Sequence, residues 1–88
     1  MDTEIRKIKR RGNPEEEWEI ILFDDSENSF LHVINSLMLY CHHGPIQAEQ
    51  CAMLAHYKGE CSIKRGDYKS LLDVSFALRS CNLKTEII

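Results

Sequence analysis

A short strand pattern that stops abruptly in a polar turn is the feature that most constrains how this chain can fold. Residues Trp18–Phe23 are rich in aromatic and branched side chains, as β-strands are, and they run directly into the polar segment 24–29. Asp, Asn and Ser are typical of turns, because their short side chains hydrogen-bond to nearby backbone. The pattern therefore predicts a rigid strand that ends with the carboxylates of Asp24 and Asp25.

Three helical patterns and two further strand patterns follow along the rest of the chain. Ser29 is predicted to cap the first helix, in which apolar residues from Phe30 to Cys41 recur at three- and four-residue spacing and form one buried face. The helices are predicted over Phe30 to about His42, about Ile46 to Tyr57, and Tyr68 to Ser80, and the later strands over 60–63 and 83–88. The order β-α-α-β-α-β predicts an α+β fold, a two-layer sandwich of a three-stranded antiparallel sheet and three helices.

The length of 88 residues allows one small domain with a single core and a shallow groove. Residues 1–16 lack apolar periodicity and contain Gly12-Asn13-Pro14, so they are predicted to be a flexible basic tail before a folded domain over 17–88. Residues 1–12 carry a net charge of +3, which leaves −6 on the remainder of a chain whose total is −3. A nucleic-acid partner is not predicted, because nucleic-acid modules carry a basic folded face.

The first residues of the chain and the spacing of its cysteines bear on the cellular compartment and on metal binding. The first residues are charged, and no apolar run approaches the roughly 18 residues of a spanning helix, so we expect a cytoplasmic protein without a membrane partner. The four cysteines contain no C-x-x-C pair and are expected to be reduced and buried. Cys51 and Cys61 flank His56 at five-residue steps, which do not match zinc-ligand spacing, so neither a metal nor a cofactor is predicted. His42 and His43 are expected to end a helix without a further role.

A second polar group follows about thirty residues after the acidic turn, where a helical pattern ends in His56-Tyr57-Lys58-Gly59. Carboxylates and an imidazole beside apolar side chains suit a cationic amine attached to a hydrophobic group. Each part alone has a simpler structural explanation, since Asp and Ser populate turns and a histidine is favoured near a helix C-terminus. Only the joint arrangement favours a binding site.

Taken together, these residues resemble the ClpS family, the adaptors of the bacterial Clp protease. The resemblance rests on the strand and turn Ile21–Ser26, on Phe30 and the pair Val33-Ile34, and on the helix 48–59 with its closing His-x-x-Gly. It runs without a gap from Trp18 to Gly59 and more loosely to Ile87. It implies a monomeric binding protein that recognises substrates with a bulky hydrophobic first residue, an N-degron. Such adaptors hand these substrates to the N-terminal domain of the Clp ATPase, an Hsp100-type unfoldase.

The resemblance also implies roles for individual residues. Three would bind the α-amino group of the substrate: Asp24, Asp25 and His56. Six would line or gate a hydrophobic cup for the first side chain: Asn28, Phe30, Val33, Ala52, Ala55 and Leu83.

Three positions depart from the family pattern. Asp24 stands where the family has Asn, Ser26 where it has a second Asp, and Ala52 where many members have Met. Two close carboxylates tend to raise each other's pKa, so binding is expected to depend more strongly on pH than in relatives. The small Ala52 predicts a roomier cup that accepts large aromatic or even branched side chains.

Two other classes of function remain open on these residues. The changes at Asp24 and Ser26 allow a protein of the same fold that has lost amine recognition and only docks on a protein partner. An enzyme would require a Cys/His or Asp/His pair together with an oxyanion site and a third orienting group. The sequence offers no such set, and no enzymatic activity is predicted.

Overall fold

Three strands and three helices make up residues 17–88, the part of the chain that the computed structural model describes. The predicted basic tail, residues 1–16, lies outside the described residues. The elements are β1 (Trp18–Phe23), α1 (Phe30–Tyr40), α2 (Pro45–Lys58), β2 (Glu60–Gly66), α3 (Tyr68–Ser80) and β3 (Thr85–Ile87). Their order and the antiparallel pairing of the strands confirm the predicted α+β fold.

Strand β1 is the centre of the sheet, whose spatial order is β2-β1-β3. Successive side chains of a strand point to opposite faces, so Ile20 and Leu22 share one face. Both are buried within the hydrophobic core. Helices α2 and α3 contact the strands, and α1 packs against both of these helices. The helices and the C-cap residue of α1 contribute to the same core the side chains of Leu37, Cys41, Ala48, Cys51, Ala55, Leu71 and Leu78.

Local signals start and stop the helices as the sequence predicts. The Ser29 side chain accepts a hydrogen bond from the backbone N–H of His32 at 3.0 Å, which confirms Ser29 as the N-cap of α1. Pro45 occupies the first turn of α2, where its missing N–H costs no helical hydrogen bond. Gly59 ends α2 with a φ of 92°, a left-handed conformation that glycine adopts without steric strain.

Predicted boundaries of three elements are wrong. Strand β3 spans Thr85–Ile87 rather than 83–88. Helix α1 ends at Tyr40 rather than His42, because His42 adopts a left-handed φ of 59°. Strand β2 continues to Gly66 rather than ending at Ile63. Ile20 pairs with Lys64 and Ile21 with Ser62, so Ile63 is the extra residue of a β-bulge, and pairing resumes beyond it. The residues after the bulge are charged, so the pattern of hydrophobic residues did not predict this part of the strand.

His43, which was expected to have no role, is a buried structural residue with 7% of its surface exposed. Its Nε2 lies 2.8 Å from the carbonyl oxygen of Ile63. A carbonyl only accepts, so this ring nitrogen donates. Its Nδ1 is buried and has no hydrogen-bond partner among residues 17–88. The imidazole therefore satisfies the carbonyl of the bulged residue and links the α1–α2 connection to the sheet.

The cysteines are free thiols, but only two of them are fully buried. Cys41 and Cys51 lie in the core as predicted, whereas Cys61 and Cys81 are partly exposed, so the expectation of four buried thiols is wrong for these two. Burial raises the pKa of Cys41 to about 11 and that of Cys61 to about 12. Both side chains therefore stay protonated near neutral pH and are poor nucleophiles.

Replacement of His43 tests its structural role. We expect His43→Ala to lower the free energy of unfolding by about 1–3 kcal/mol, because it leaves the buried carbonyl of Ile63 without a donor. Urea denaturation followed by circular dichroism measures this change. The matched control is His42→Asn at the exposed neighbour, where Asn tolerates the left-handed backbone and the change should stay within about 0.5 kcal/mol. Equal stability of the two variants would contradict the role of His43.

Candidate functional site

A cavity of about 420 Å³ opens where the end of β1, the start of α1, the last turns of α2 and the segment before β3 meet. All nine residues that the sequence pointed to line this cavity, although they come from three separate stretches of the chain. They are Asp24, Asp25, Asn28, Phe30, Val33, Ala52, Ala55, His56 and Leu83.

Backbone hydrogen bonds from the end of β1 bring these stretches together. The N–H of Phe23 donates to the carbonyl of Lys84 at 2.9 Å, which places the segment before β3 on one side of the strand. The N–H of Asp24 donates to the carbonyl of Gly59 at 2.9 Å, which places the end of α2 on the other side. The last residue of β1 and the residue that follows it thus set the positions of both walls.

Asp24 and His56 face each other at the rim of the cavity. The distance between Asp24 Oδ1 and His56 Nδ1 is 3.6 Å, and the two side chains are 43% and 60% exposed. This separation exceeds the roughly 2.7–3.2 Å of a strong hydrogen bond, and exposed ion pairs contribute little to stability. Both polar groups are therefore accessible to a ligand at the cavity mouth.

Asp25 instead turns its carboxylate into the loop between β1 and α1. Its Oδ1 accepts the backbone N–H groups of Glu27 at 2.8 Å and Asn28 at 3.1 Å, and its Oδ2 accepts the Nδ2 of Asn28 at 2.8 Å. A carboxylate has about four acceptor positions. Three of them are taken within the loop, so about one is left for a ligand.

These contacts also set the charge state of Asp25. Partial burial opposes ionisation, but the hydrogen bonds from Asn28 and Glu27 and the positive charge of Lys84 together hold the pKa of Asp25 below its ordinary value of 3.8. The expectation that the neighbouring carboxylates raise each other's pKa is therefore wrong for Asp25. Donors within the loop outweigh any repulsion from Asp24, and the Asp25 side chain is anionic at neutral pH.

Asn28 forms part of the cavity wall and fastens the loop across the molecule. Besides its bond to Asp25, its Nδ2 donates to the carbonyl of Asn82 at 2.8 Å. One turn into α1, His32 Nε2 donates to the carbonyl of Cys81 at 2.8 Å. The start of α1 is thereby held against the turn that precedes Leu83.

The depth of the cavity is apolar. Ala52, Ala55 and Leu83 are buried, whereas Phe30 is 42% exposed and stands at the opening. The expectation that Phe30 lies on the buried face of its helix is therefore wrong, because the first turn of α1 borders the cavity rather than the core. The site thus combines an exposed rim of carboxylate and imidazole groups with an apolar interior.

Three further residues line the cavity that sequence reasoning did not assign to it: Leu22, Phe23 and Ser26. Leu22 and Phe23 look like ordinary strand residues in the sequence, and their position directly before Asp24 was the available signal. Ser26 is the position where the expected second family carboxylate is missing. Its hydroxyl side chain adds no charge to the cavity.

Within residues 17–88, neither a cluster of metal ligands nor a membrane-crossing helix is present. Within this range, no three or more His, Cys, Asp or Glu side chains are grouped so that they could hold a metal ion. None of the helices described there has both the length and the apolar character that a membrane-crossing helix needs.

The chain is similar to a known protein family in sequence and to a solved structure in fold. A protein-family model described as the ATP-dependent Clp protease adaptor protein ClpS matches residues 13–84. Among solved structures, a similar chain is Agrobacterium tumefaciens ClpS2 bound to L-phenylalaninamide. It is 12% identical, the match covers 86% of this chain and 98% of that chain, and the TM-score is 0.72, so the two share a fold. No curated protein matches the chain in sequence.

The ionisation of Asp25 gives a prediction for acid stability. The pKa of Asp25 is lower in the folded state than in the unfolded chain, so the ionised carboxylate stabilises the fold at pH values above the unfolded-state pKa. This contribution is lost as the pH falls through the folded-state pKa. We expect NMR titration to show Asp25 ionising below 3.8, and Asn28→Ala to move its pKa upward because one donor is removed. The control is Ser29→Ala, which removes a helix cap but none of the donors to Asp25. An unchanged Asp25 titration in Asn28→Ala would show that the side-chain bond does not set the charge state.

Proposed function

The chain belongs to the ClpS family of ATP-dependent Clp protease adaptors, and we propose that its cavity binds the first residue of substrates that begin with a bulky hydrophobic amino acid. The observation that carries the proposal is the meeting of the nine predicted residues in one cavity with a polar rim and an apolar interior. Neither half alone would suit an N-terminal residue, which has a cationic amino group and an apolar side chain on the same carbon.

The rim would hold the amino group. A free α-amino group has a pKa of about 7.7–8.0 and is largely cationic near neutral pH. Asp24 offers the most accessible carboxylate, and Asp25 keeps about one acceptor position in addition to its three loop contacts. A neutral imidazole of His56 can accept a further N–H through a ring nitrogen. The geometry supports Asp24 and His56 as direct ligands and Asp25 as both a ligand and the anchor of the loop.

The interior would hold the first side chain. A volume of about 420 Å³ falls in the range of roughly 300–1,000 Å³ that small-molecule pockets occupy. The ClpS2 structure of the same fold contains L-phenylalaninamide, a ligand with a free α-amino group and an aromatic side chain. Here Ala52 contributes only a methyl group to the wall, which supports a cup that accepts large aromatic or branched residues.

The remaining parts of the proposal concern delivery. We infer that the protein passes bound substrates to the N-terminal domain of a Clp ATPase, which unfolds them for degradation, and that the tail 1–16 takes part in this step. It would act in the cytoplasm as a monomer, without catalysis of its own and without a nucleic-acid partner. The net charge of −6 outside the first twelve residues supports the last point, since nucleic-acid modules present a basic folded face.

A second candidate is a docking module of the same fold that no longer binds amines. Two observations favour it. Asp25 already accepts three hydrogen bonds within its own loop, and Asp24 and His56 lie close enough to attract each other when the imidazole is protonated. An amino group would then have to compete with contacts that the protein makes by itself.

Peptide binding separates the two candidates. We expect peptides that begin with Phe or Leu to bind when their amino end is free and to lose binding when it is acetylated, because acetylation removes the cationic donor. Fluorescence anisotropy with a dye at the peptide C-terminus measures both. Asp24→Ala should weaken binding of the free peptides by on the order of tenfold or more, since it removes a charge-assisted hydrogen bond of about 1.5–3 kcal/mol.

A matched control for that variant is Asp73→Ala, an exposed carboxylate on α3 that does not line the cavity. It should bind the free peptides like the natural protein. Equal binding of free and acetylated peptides, or no binding of either, would reject the amine site and leave the docking module.

The size of the cup is tested at Ala52. We expect Ala52→Met to weaken binding of peptides that begin with Phe, Trp or Ile by about 1–3 kcal/mol, roughly fivefold or more in Kd, because the longer side chain fills the space that those residues need. The control is Gln47→Met, an exposed position on the same helix. The idea of a roomy cup fails if a peptide that begins with Ile binds the natural protein no better than one that begins with Gly.

A further inference from the structure

Helix α2 is apolar on the face that points away from the core as well as on the face that packs into it. Ala48, Cys51, Ala52 and Ala55 form the buried face. On the opposite face Met53, Leu54 and Tyr57 are exposed, and Tyr57 is 76% exposed. A helix at the surface of a globular protein ordinarily carries polar residues on its outer face. This outer face therefore suggests a second binding surface.

The exposed side chains form a concave surface rather than scattered contacts. Gln50, Met53, Leu54, Tyr57 and Lys58 enclose a shallow cavity of about 350 Å³, which we call the α2 groove. Residues three and four apart are neighbours on a helix surface, which explains why these positions meet. Lys58 is the one charged side chain among the five. The groove thus suits an apolar side chain rather than an ionic ligand.

The α2 groove adjoins the rim of the first cavity. Met53 precedes His56 by three residues and Tyr57 by four, so it is a surface neighbour of both. The rings of His56 and Tyr57 are in edge contact, with centroids 4.9 Å apart and planes at 73°. A chain held by its amino group at His56 therefore lies one side chain away from the groove.

We propose that the α2 groove is a second subsite for the same substrate and takes an apolar side chain a few residues after the first. This inference rests on the proposed function, since the substrate chain must leave the cavity at the rim where its amino group is held. An extended chain advances about 3.3–3.6 Å per residue, and an α-helix with side chains is about 10–12 Å wide. The third to fifth residues of the substrate are therefore the ones that reach the groove.

The subsite adds a specificity that the first residue does not supply. Two substrates with the same first residue would be separated by the apolar character of the segment that follows. Burial of one leucine side chain in the groove should strengthen binding on the order of tenfold. Peptides that carry only polar residues after the first would be held by the first cavity alone.

The test uses peptides that begin with Phe and continue with Ser and Gly, in which a single Leu replaces Ser at position 2, 3, 4, 5 or 6. Each is labelled at its C-terminus and measured by fluorescence anisotropy with the full chain. We expect Leu at position 3, 4 or 5 to strengthen binding about tenfold over the parent peptide, and Leu at position 2 or 6 to have a smaller effect.

The double variant M53Q/L54Q should reduce this gain from Leu to less than about threefold. The matched control is F76Q, which replaces an exposed aromatic residue on α3 and should retain the gain. The comparison is the ratio of Leu to Ser affinity within each variant, so a general change in affinity or folding does not affect it.

Several outcomes would overturn the subsite. Equal binding of the Leu and Ser peptides would do so while leaving the proposed function intact, provided that both still require a free amino end. A gain that persists in M53Q/L54Q would place the apolar contact elsewhere.

Self-association in sedimentation experiments that M53Q/L54Q abolishes would assign the groove to a second copy of this chain. Loss of binding to the Clp ATPase in that variant, with the Leu gain unchanged, would assign it to the ATPase. Failure of every peptide to bind would reject the proposed function and the subsite together.

Discussion

The end of the central strand is the constraint on which the site depends. Strand β1 is hydrogen-bonded on both sides, and its last pairings continue through Phe23 to Lys84 and through Asp24 to Gly59. A strand paired on both edges cannot shift its register without reversing which side chains face the core. The backbone of Asp24 is thereby fixed between the end of α2 and the segment before β3.

The walls of the site follow from this placement. Gly59 allows α2 to stop in a left-handed turn three residues after His56, and its carbonyl accepts the N–H of Asp24. Asn28 and His32 fasten the start of α1 to the turn before β3. Most of these contacts use backbone groups or short side chains, which vary little in geometry. A cavity with an apolar interior and a polar rim is the result.

The sequence predicted the elements where a strong period or a capping residue marked them. The three-four spacing after Ser29 identified α1, and Gly59 identified the end of α2. The prediction failed where tertiary contacts decided the outcome. The bulge at Ile63 and the charged residues after it concealed the second half of β2. The burial of His43 was equally hidden, because its partner is a backbone carbonyl twenty residues away.

The residues that line the cavity were predictable from the sequence, but the contacts that each of them makes were not. The sequence alone determined which residue types stand at the strand end and the helix end, because local patterns of apolar and polar residues are written along the chain. Only the tertiary structure decided that Asp25 is bound by its own loop while Asp24 and His56 face the opening. Only the tertiary structure decided that the outer face of α2 lies next to the rim and has no partner within residues 17–88. The reason is that hydrogen-bond partners and burial depend on distances between segments remote in sequence, which no local pattern contains.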